Sequence, residues 1–329
     1  QHGGRPLEAN DNGVAIITQS YNLSINITMQ QRGLPIAYML TAGNQAMIGA
    51  SDLAMAVLDD PRVTCLGMHI EGFDSIAGME AVAQKARELK KPMVVLKVGK
   101  SEQAQLATLT HTASLAGAHA SSQAFLKRLG IGQVDTVPAL LETLKLLHVT
   151  GPLANNRLAS ISCSGGEASL AADTAHDLPV VFPPLNDTQT ADLRAALGPM
   201  VALANPLDYH TYIWRDVPAM TRAFAAMADP AIAMTILIVD FPRSDRCSPD
   251  DWDCVIEATI AAAKQTGAHY GMAATLPELM PESVAEVLAA AGIVPFCGLT
   301  EALKACRAAS VDAIKAPAPI LLPGPDAPA

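Results

Sequence analysis

Four short stretches carry groups suited to holding or moving a phosphoryl group. Thr110-His111-Thr112-Ala113-Ser114-Leu115-Ala116-Gly117 sets one imidazole among small and hydroxylated neighbours. A neutral imidazole is nucleophilic near pH 7, and a phosphoryl group placed on it remains transferable. A loop histidine capping the next helix would leave the same pattern. His69-Ile70-Glu71-Gly72 puts a carboxylate just past an apolar run. Such a carboxylate can accept a bond from one ring nitrogen, fixing the tautomer and freeing the other nitrogen for attack; a solvated glutamate at a strand end fits equally. Ser20-Tyr21-Asn22 and Ser164-Gly165-Gly166 each stand between a strand-like run and a helical pattern. Helix N-termini offer free N–H groups and a positive dipole end to phosphate, and Ser or Asn there also serve as ordinary N-caps.

Strands alternating with helices must position these groups. Apolar runs at residues 14–17, 35–40, 65–70 and 93–98 read as strands. Helical patterns run to about Arg32, with Gly33 as a C-cap, then over 49–58 and 77–89, and a helix at 138–149 closes the series. Gly151-Pro152 breaks the pattern. A second series opens with a strand at 158–162 and a helix over 167–175. It continues with strands at 233–240, 269–275 and 293–297 and helices at 217–227, 252–266, 283–291 and 300–309. Alternation of this kind builds parallel βαβ units. The expected architecture is α/β, two tandem doubly wound parallel-sheet domains joined near residue 150, with ligands at the carboxyl ends of the strands. The expected divisions are a linker at 1–12, domains at 13–150 and 151–312, and a Pro/Ala-rich linker at 313–329.

Composition narrows the function. The 329 residues suffice for two cores, and half are apolar with few aromatics. A net charge of −10 with no basic run argues against nucleic acid or an anionic membrane surface. Any phosphate site is therefore local or made by backbone amides. The six cysteines form no CxxC pair, so no metal site is expected. Scattered thiols, with no signal peptide and no membrane-length apolar run, suit a cytoplasmic protein. Gly99-Lys100-Ser101 lacks the earlier glycine of a phosphate-binding loop, and Gly130-Ile131-Gly132 lacks the third glycine of a dinucleotide fingerprint. Asp208-Tyr209-His210 and Asp245-Arg246-Cys247 are polar clusters suited to lining a cleft, and more readily to solvated loops.

Taken together, the motifs resemble the NDP-forming acyl-CoA synthetase family, kin to succinyl-CoA synthetase and ADP-forming acetyl-CoA synthetase. The matching stretches include Gly13 to Ser20, Leu40 to Gln45, Asp59 to Arg62, His69 to Gly72, Lys91 to Lys100, Thr110 to Gly117, Ser164 to Leu170 and Ala204 to Asp208. The resemblance implies flavodoxin-like domains and a phosphohistidine at His111 oriented by Glu71. It places phosphate at the turns Ser20, Tyr21 and Asn22, Gly43 and Asn44 (with Gln45 beside them), and Ser164, Gly165 and Gly166. It also implies a small carboxylic acid as substrate. CoA and ATP or ADP with Mg would be bound mainly by a CoA-binding Rossmann domain and an ATP-grasp domain, both expected outside these residues. The family usually has Gly where this chain has Tyr21. That difference, with the missing domains, keeps open a non-catalytic interaction or regulatory module that has lost turnover. Ala-rich helices leave room for a homo-oligomer.

Overall fold

The computed structural model describes residues 7–8, 11–104 and 119–310. By contacts the described residues form two units, one of 7–8, 11–28, 36–104 and 119–135, the other of 29–35 and 136–310.

The first unit holds strands β1 (Gly13–Thr18), β2 (Ile36–Thr41), β3 (Val63–Ile70), β4 (Met93–Lys97) and β5 (Gly132–Val134), in the spatial order β2-β1-β3-β4-β5. All its pairings are parallel. Helices α1 (Tyr21–Thr28), α2 (Ala50–Leu58), α3 (Ile76–Glu88) and α4 (His119–Arg128) connect them. β1 is GVAIIT, buried at all six positions, because helices cover both faces of a parallel sheet and leave no polar side. Ser75 caps α3 by accepting from Gly78 N, and Asp74 accepts from Ser51 N in the first turn of α2.

The second unit repeats the plan. β6 (Leu158–Ser162), β7 (Leu207–Asp208), β8 (Met234–Ile238), β9 (Tyr270–Ala274) and β10 (Ile293–Cys297) stand in the order β7-β6-β8-β9-β10, again parallel. Numbered within each unit, both sheets read 2-1-3-4-5, the flavodoxin-like order. Its helices are α5 (Val137–Val149), α6 (Gly165–His176), α7 (Asp187–Leu197), α8 (Val217–Ala226), α9 (Asp253–Thr266), α10 (Glu282–Ala290) and α11 (Leu299–Ala309). No helix among the described residues is long and apolar enough to cross a membrane.

Two features depart from the sequence reading. α1 ends at Thr28, not near Arg32, and Gly33 (φ +67°) sits in a turn where it approaches Ala285, so it is no C-cap. More consequentially, by contacts α5 groups with the second unit. The helix packs with α11 and β10, and the contact boundary falls between residues 135 and 136. Every residue of α5 from Ala139 to Leu147 is buried, including the polar ones. Glu142 is fully buried and Lys145 is 1% exposed; their side chains pair at 3.0 Å. Arg32 Nη1 adds a second bridge to Glu142 at 2.8 Å, Cys297 N donates to Glu142 Oε2, and Lys145 Nζ donates to Arg32 O. A buried ion pair is costly to break by halves. Lys145→Met is therefore expected to lower unfolding stability by about 3 kcal/mol. Glu142→Leu/Lys145→Met should recover much of that loss, because no lone charge stays behind. Urea unfolding of the two variants checks this; equal losses would contradict it.

Candidate functional site

In a 2-1-3-4-5 sheet, strand order reverses between the first strand and the third, and the crevice beyond their carboxyl ends is where such folds bind ligands. In the first unit that crevice lies past β1 and β3. The register sets Thr41, Thr18, His69 and Leu96 side by side across four adjacent strands. The segments leaving these four strand ends are therefore gathered at one edge: Gln19 to Asn22, Gly43 to Gln45, Glu71 and Gly72, and Lys97 to Lys100.

Hydrogen bonds tie these chain ends together. Thr18 Oγ1 lies 2.9 Å from His69 Nδ1 and accepts from Ser20 N at 3.0 Å. Burial pushes the His69 imidazole below its usual pKa, favouring its neutral form. Ser20 Oγ accepts from Leu23 N at 3.3 Å, so the first Ser turn does cap α1. Gly43 and Gln45 both take left-handed backbone (φ +56° and +59°), turning the chain sharply after β2. Asn44 is exposed and accepts from Ala46 N. Glu71 is half-buried; its main chain is bonded by Gln19 and Lys97, and among the described residues no hydrogen bond engages its carboxylate. Burial pushes the Lys97 ammonium below its usual pKa, while the nearby Glu71 charge pulls it back up. Tyr21 is 64% exposed, so its ring is not buried over the turn. His111 and the rest of its motif lie outside the described residues.

The second unit has its own reversal, between β6 and β8. Ser164 precedes α6 without a side-chain capping bond, and Gly165 and Gly166 are exposed at the helix tip. A Cβ on Gly165 would come within 3.2 Å of Asp208 Oδ2, so the glycine makes room for that carboxylate. Asp208 accepts from His210 N at 2.8 Å, and Asp240 accepts from Thr275 N and Oγ1 at 2.7 and 2.6 Å. Asp208-Tyr209-His210 is not the solvated loop the sequence suggested: Tyr209 is buried and stacks edge-on against Phe224. Glu167 feels the charge of both aspartates. Burial first, then Asp240 and Asp208, raises its carboxyl pKa to about 7. The folded chain thus holds a proton that the unfolded chain releases between pH 4.5 and about 7, so stability falls as pH rises through that window and levels off above it. With solvent screening the fall is about 1 kcal/mol. Glu167→Gln should abolish it, which urea midpoints at about pH 5 and about pH 8 would show. Among the described residues no three His, Cys, Asp or Glu side chains are arranged to hold a metal ion.

Comparisons with known proteins bear on the fold and on sequence kinship. The family profile for the succinyl-CoA ligase like flavodoxin domain matches residues 11–147. The chain is 28% identical over 260 residues to acetate–CoA ligase [ADP-forming] II subunit alpha of Pyrococcus furiosus, covering 78% of this chain and 55% of that one. The acetyl-coenzyme A synthetase 1 of Ca. Korarchaeum cryptofilum, solved with phosphate and ADP, superposes with a TM-score of 0.72 over 91% of this chain and 64% of its own, at 21% identity. The chain is thus similar in sequence to ADP-forming acetate–CoA ligases, and its residues 11–147 match the succinyl-CoA ligase like flavodoxin domain. A further relative is trans-feruloyl-CoA synthase FCS1 from an unknown prokaryotic organism, 30% identical over 218 residues, 66% of this chain and 31% of that one. The chain thus spans between about a third and about half the length of these curated relatives.

The first sheet brings Ser20, Tyr21, Asn22, Gly43, Asn44 and Glu71 to one edge, and the second brings Ser164, Gly165 and Gly166 to another. The sequence reading placed Gln45 beside the first phosphate turn but missed Gln19 and Lys97 on that edge and Glu167 and Asp240 on the second. One signal was present: Lys97 ends the otherwise apolar run MVVLK, and a lysine there must either be solvated or find partners in the interior.

Proposed function

We propose that this chain carries the phosphohistidine of an NDP-forming acyl-CoA synthetase. Acyl-CoA and inorganic phosphate exchange to acyl phosphate and free CoA. An imidazole nitrogen of His111 then attacks phosphorus, and the carboxylic acid leaves. Phosphohistidine finally passes its phosphoryl group to ADP, releasing ATP and restoring the imidazole. The synthetic direction is the reverse. Glu71 holds the ring by its second nitrogen, and the α1 tip at Ser20, Tyr21 and Asn22 receives the phosphoryl oxygens, with Gly43 and Asn44 beside it and Ser164, Gly165 and Gly166 as a second phosphate-binding tip. A CoA-binding Rossmann domain and an ATP-grasp domain supply the sites for CoA and for ATP with Mg. The substrate is a small carboxylic acid.

The observation that supports this best is the placement of Glu71 beside the α1 N-terminus at the reversal point of the first sheet. The alternative of a module without turnover drew on Tyr21 and on the CoA-binding and ATP-grasp domains expected outside these residues; the Tyr21 ring is exposed and favours neither reading. The test is labelling: the native assembly given γ-labelled ATP should acquire acid-labile, base-stable phosphate, and peptide mapping should find it at His111. Label elsewhere, or none, would refute the reading.

A further inference from the structure

The β3 ladder ends at Ile70, whose carbonyl accepts from Val98 N. The next two residues have four backbone polar groups, and side chains from three other strand ends hold all four. Gln19 Oε1 accepts from both Glu71 N and Gly72 N, the latter at 3.0 Å. Lys97 Nζ donates to Glu71 O at 2.7 Å and to Val98 O at 2.7 Å. Gln45 Nε2 donates to Gly72 O at 3.2 Å, while its Oε1 accepts from Ala50 N. Main-chain ladders usually supply such bonds, and long side chains lose rotamer entropy in doing so. The arrangement is also costly in polar terms. Gln19 is 7% exposed, and its Nε2 has no partner among the described residues. Its amide orientation is settled by chemistry, since two N–H donors require the oxygen. Lys97 is 9% exposed, and its ammonium is held by two carbonyls. A fold that needed only to end a strand would not require an orphaned carboxamide and a buried lysine.

We propose that Gln19 is a positioning residue for Glu71, acting with Lys97 and Gln45 to clamp the 71–72 backbone so that the Glu71 carboxylate projects from a fixed stem. The consequence for phosphoryl transfer rests on the function proposed above; the clamp itself does not. Gln19 bonds only the main chain of Glu71 and Gly72, so its effect on the reaction passes through Glu71.

Two readouts test this. In the full chain, amide hydrogen exchange should show Glu71 and Gly72 protected, Gln19→Met exposing them to exchange roughly 100-fold faster, and Gln19→Glu, which keeps the accepting oxygen, leaving them protected. Should Gln19→Met fail to fold, Gln19→Asn, one methylene too short, replaces it with the same expectation. In the native assembly, Gln19→Met should slow labelling of His111 by about 30-fold or more with nucleotide and CoA affinities unchanged, and Gln19→Glu should restore most of the rate. Added to Glu71→Gln, Gln19→Met should slow labelling no further. Unchanged amide protection in Gln19→Met, or a slowing that adds to that of Glu71→Gln, overturns the proposal. Label persisting in His111→Asn would instead overturn the proposed function and leave the exchange result to judge the clamp.

Discussion

Replacing His111 with Asn is expected to abolish phosphoryl labelling and synthetase turnover in the native assembly. The loss should be on the order of 10⁴-fold or more, the scale at which enzymes fail when a covalent nucleophile is removed. Asn keeps a polar side chain of similar reach but has no nitrogen lone pair free to attack phosphorus. CoA and nucleotide affinities should survive, since the proposal assigns them to other domains. Rapid-quench labelling with γ-labelled ATP, alongside equilibrium binding of CoA, separates the two quantities. A variant that still turned over would move the chemistry to another group.

Glu71→Gln is expected to slow the same labelling step by roughly 10²–10⁴-fold, because a carboxylate that fixes an imidazole tautomer and stabilises its positive charge is worth several kcal/mol. Gln offers an NH2 group where the ring nitrogen needs an acceptor, which favours the wrong tautomer. The substitution should leave the fold intact. The bonds that hold residue 71 use its main chain, not its carboxylate. Thermal midpoints within about 2 °C of the parent are therefore expected, in line with substitutions that remove no buried contact. Near-normal labelling in a folded variant would remove Glu71 from the mechanism.

The sequence revealed the parts of the fold whose burial is uniform. β1, β3 and β4 are nearly continuous apolar runs, and the sheet buries them on both faces. β5 and β7 went unread because three and two residues are too short to show a pattern. α7, DTQTADLRAAL, buries only Gln189 and Leu193, so its periodicity is faint, though Asn186 and Gln189 form a capping box at its start. The apolar character of α5 announced a buried helix, but a helix buried on nearly every side does not say which sheet buries it. At the site, Glu71 and the Ser turns were visible because each directly follows a strand. Gln19 and Lys97 were not. Their partners lie 52 and 26 residues away, and sheet register, which spacing does not encode, brings them together.

The mismatch between chain order and packing at α5 constrains how this protein can be cut or recombined. A crossover at residue 150, beside the break at Gly151-Pro152, would strip the second unit of a helix with nine consecutive buried residues. It would also strip away Arg32, so that a 151–312 piece would hold neither Glu142 nor Lys145 and Arg32, the two cations that pair with it. Both pieces should aggregate, the upstream one through a leucine-rich helix with no sheet to cover it. Gene fissions and chimaeras that keep solubility are expected to break near residue 135 instead, and to carry residues 29–35 as a separate debt to the downstream half.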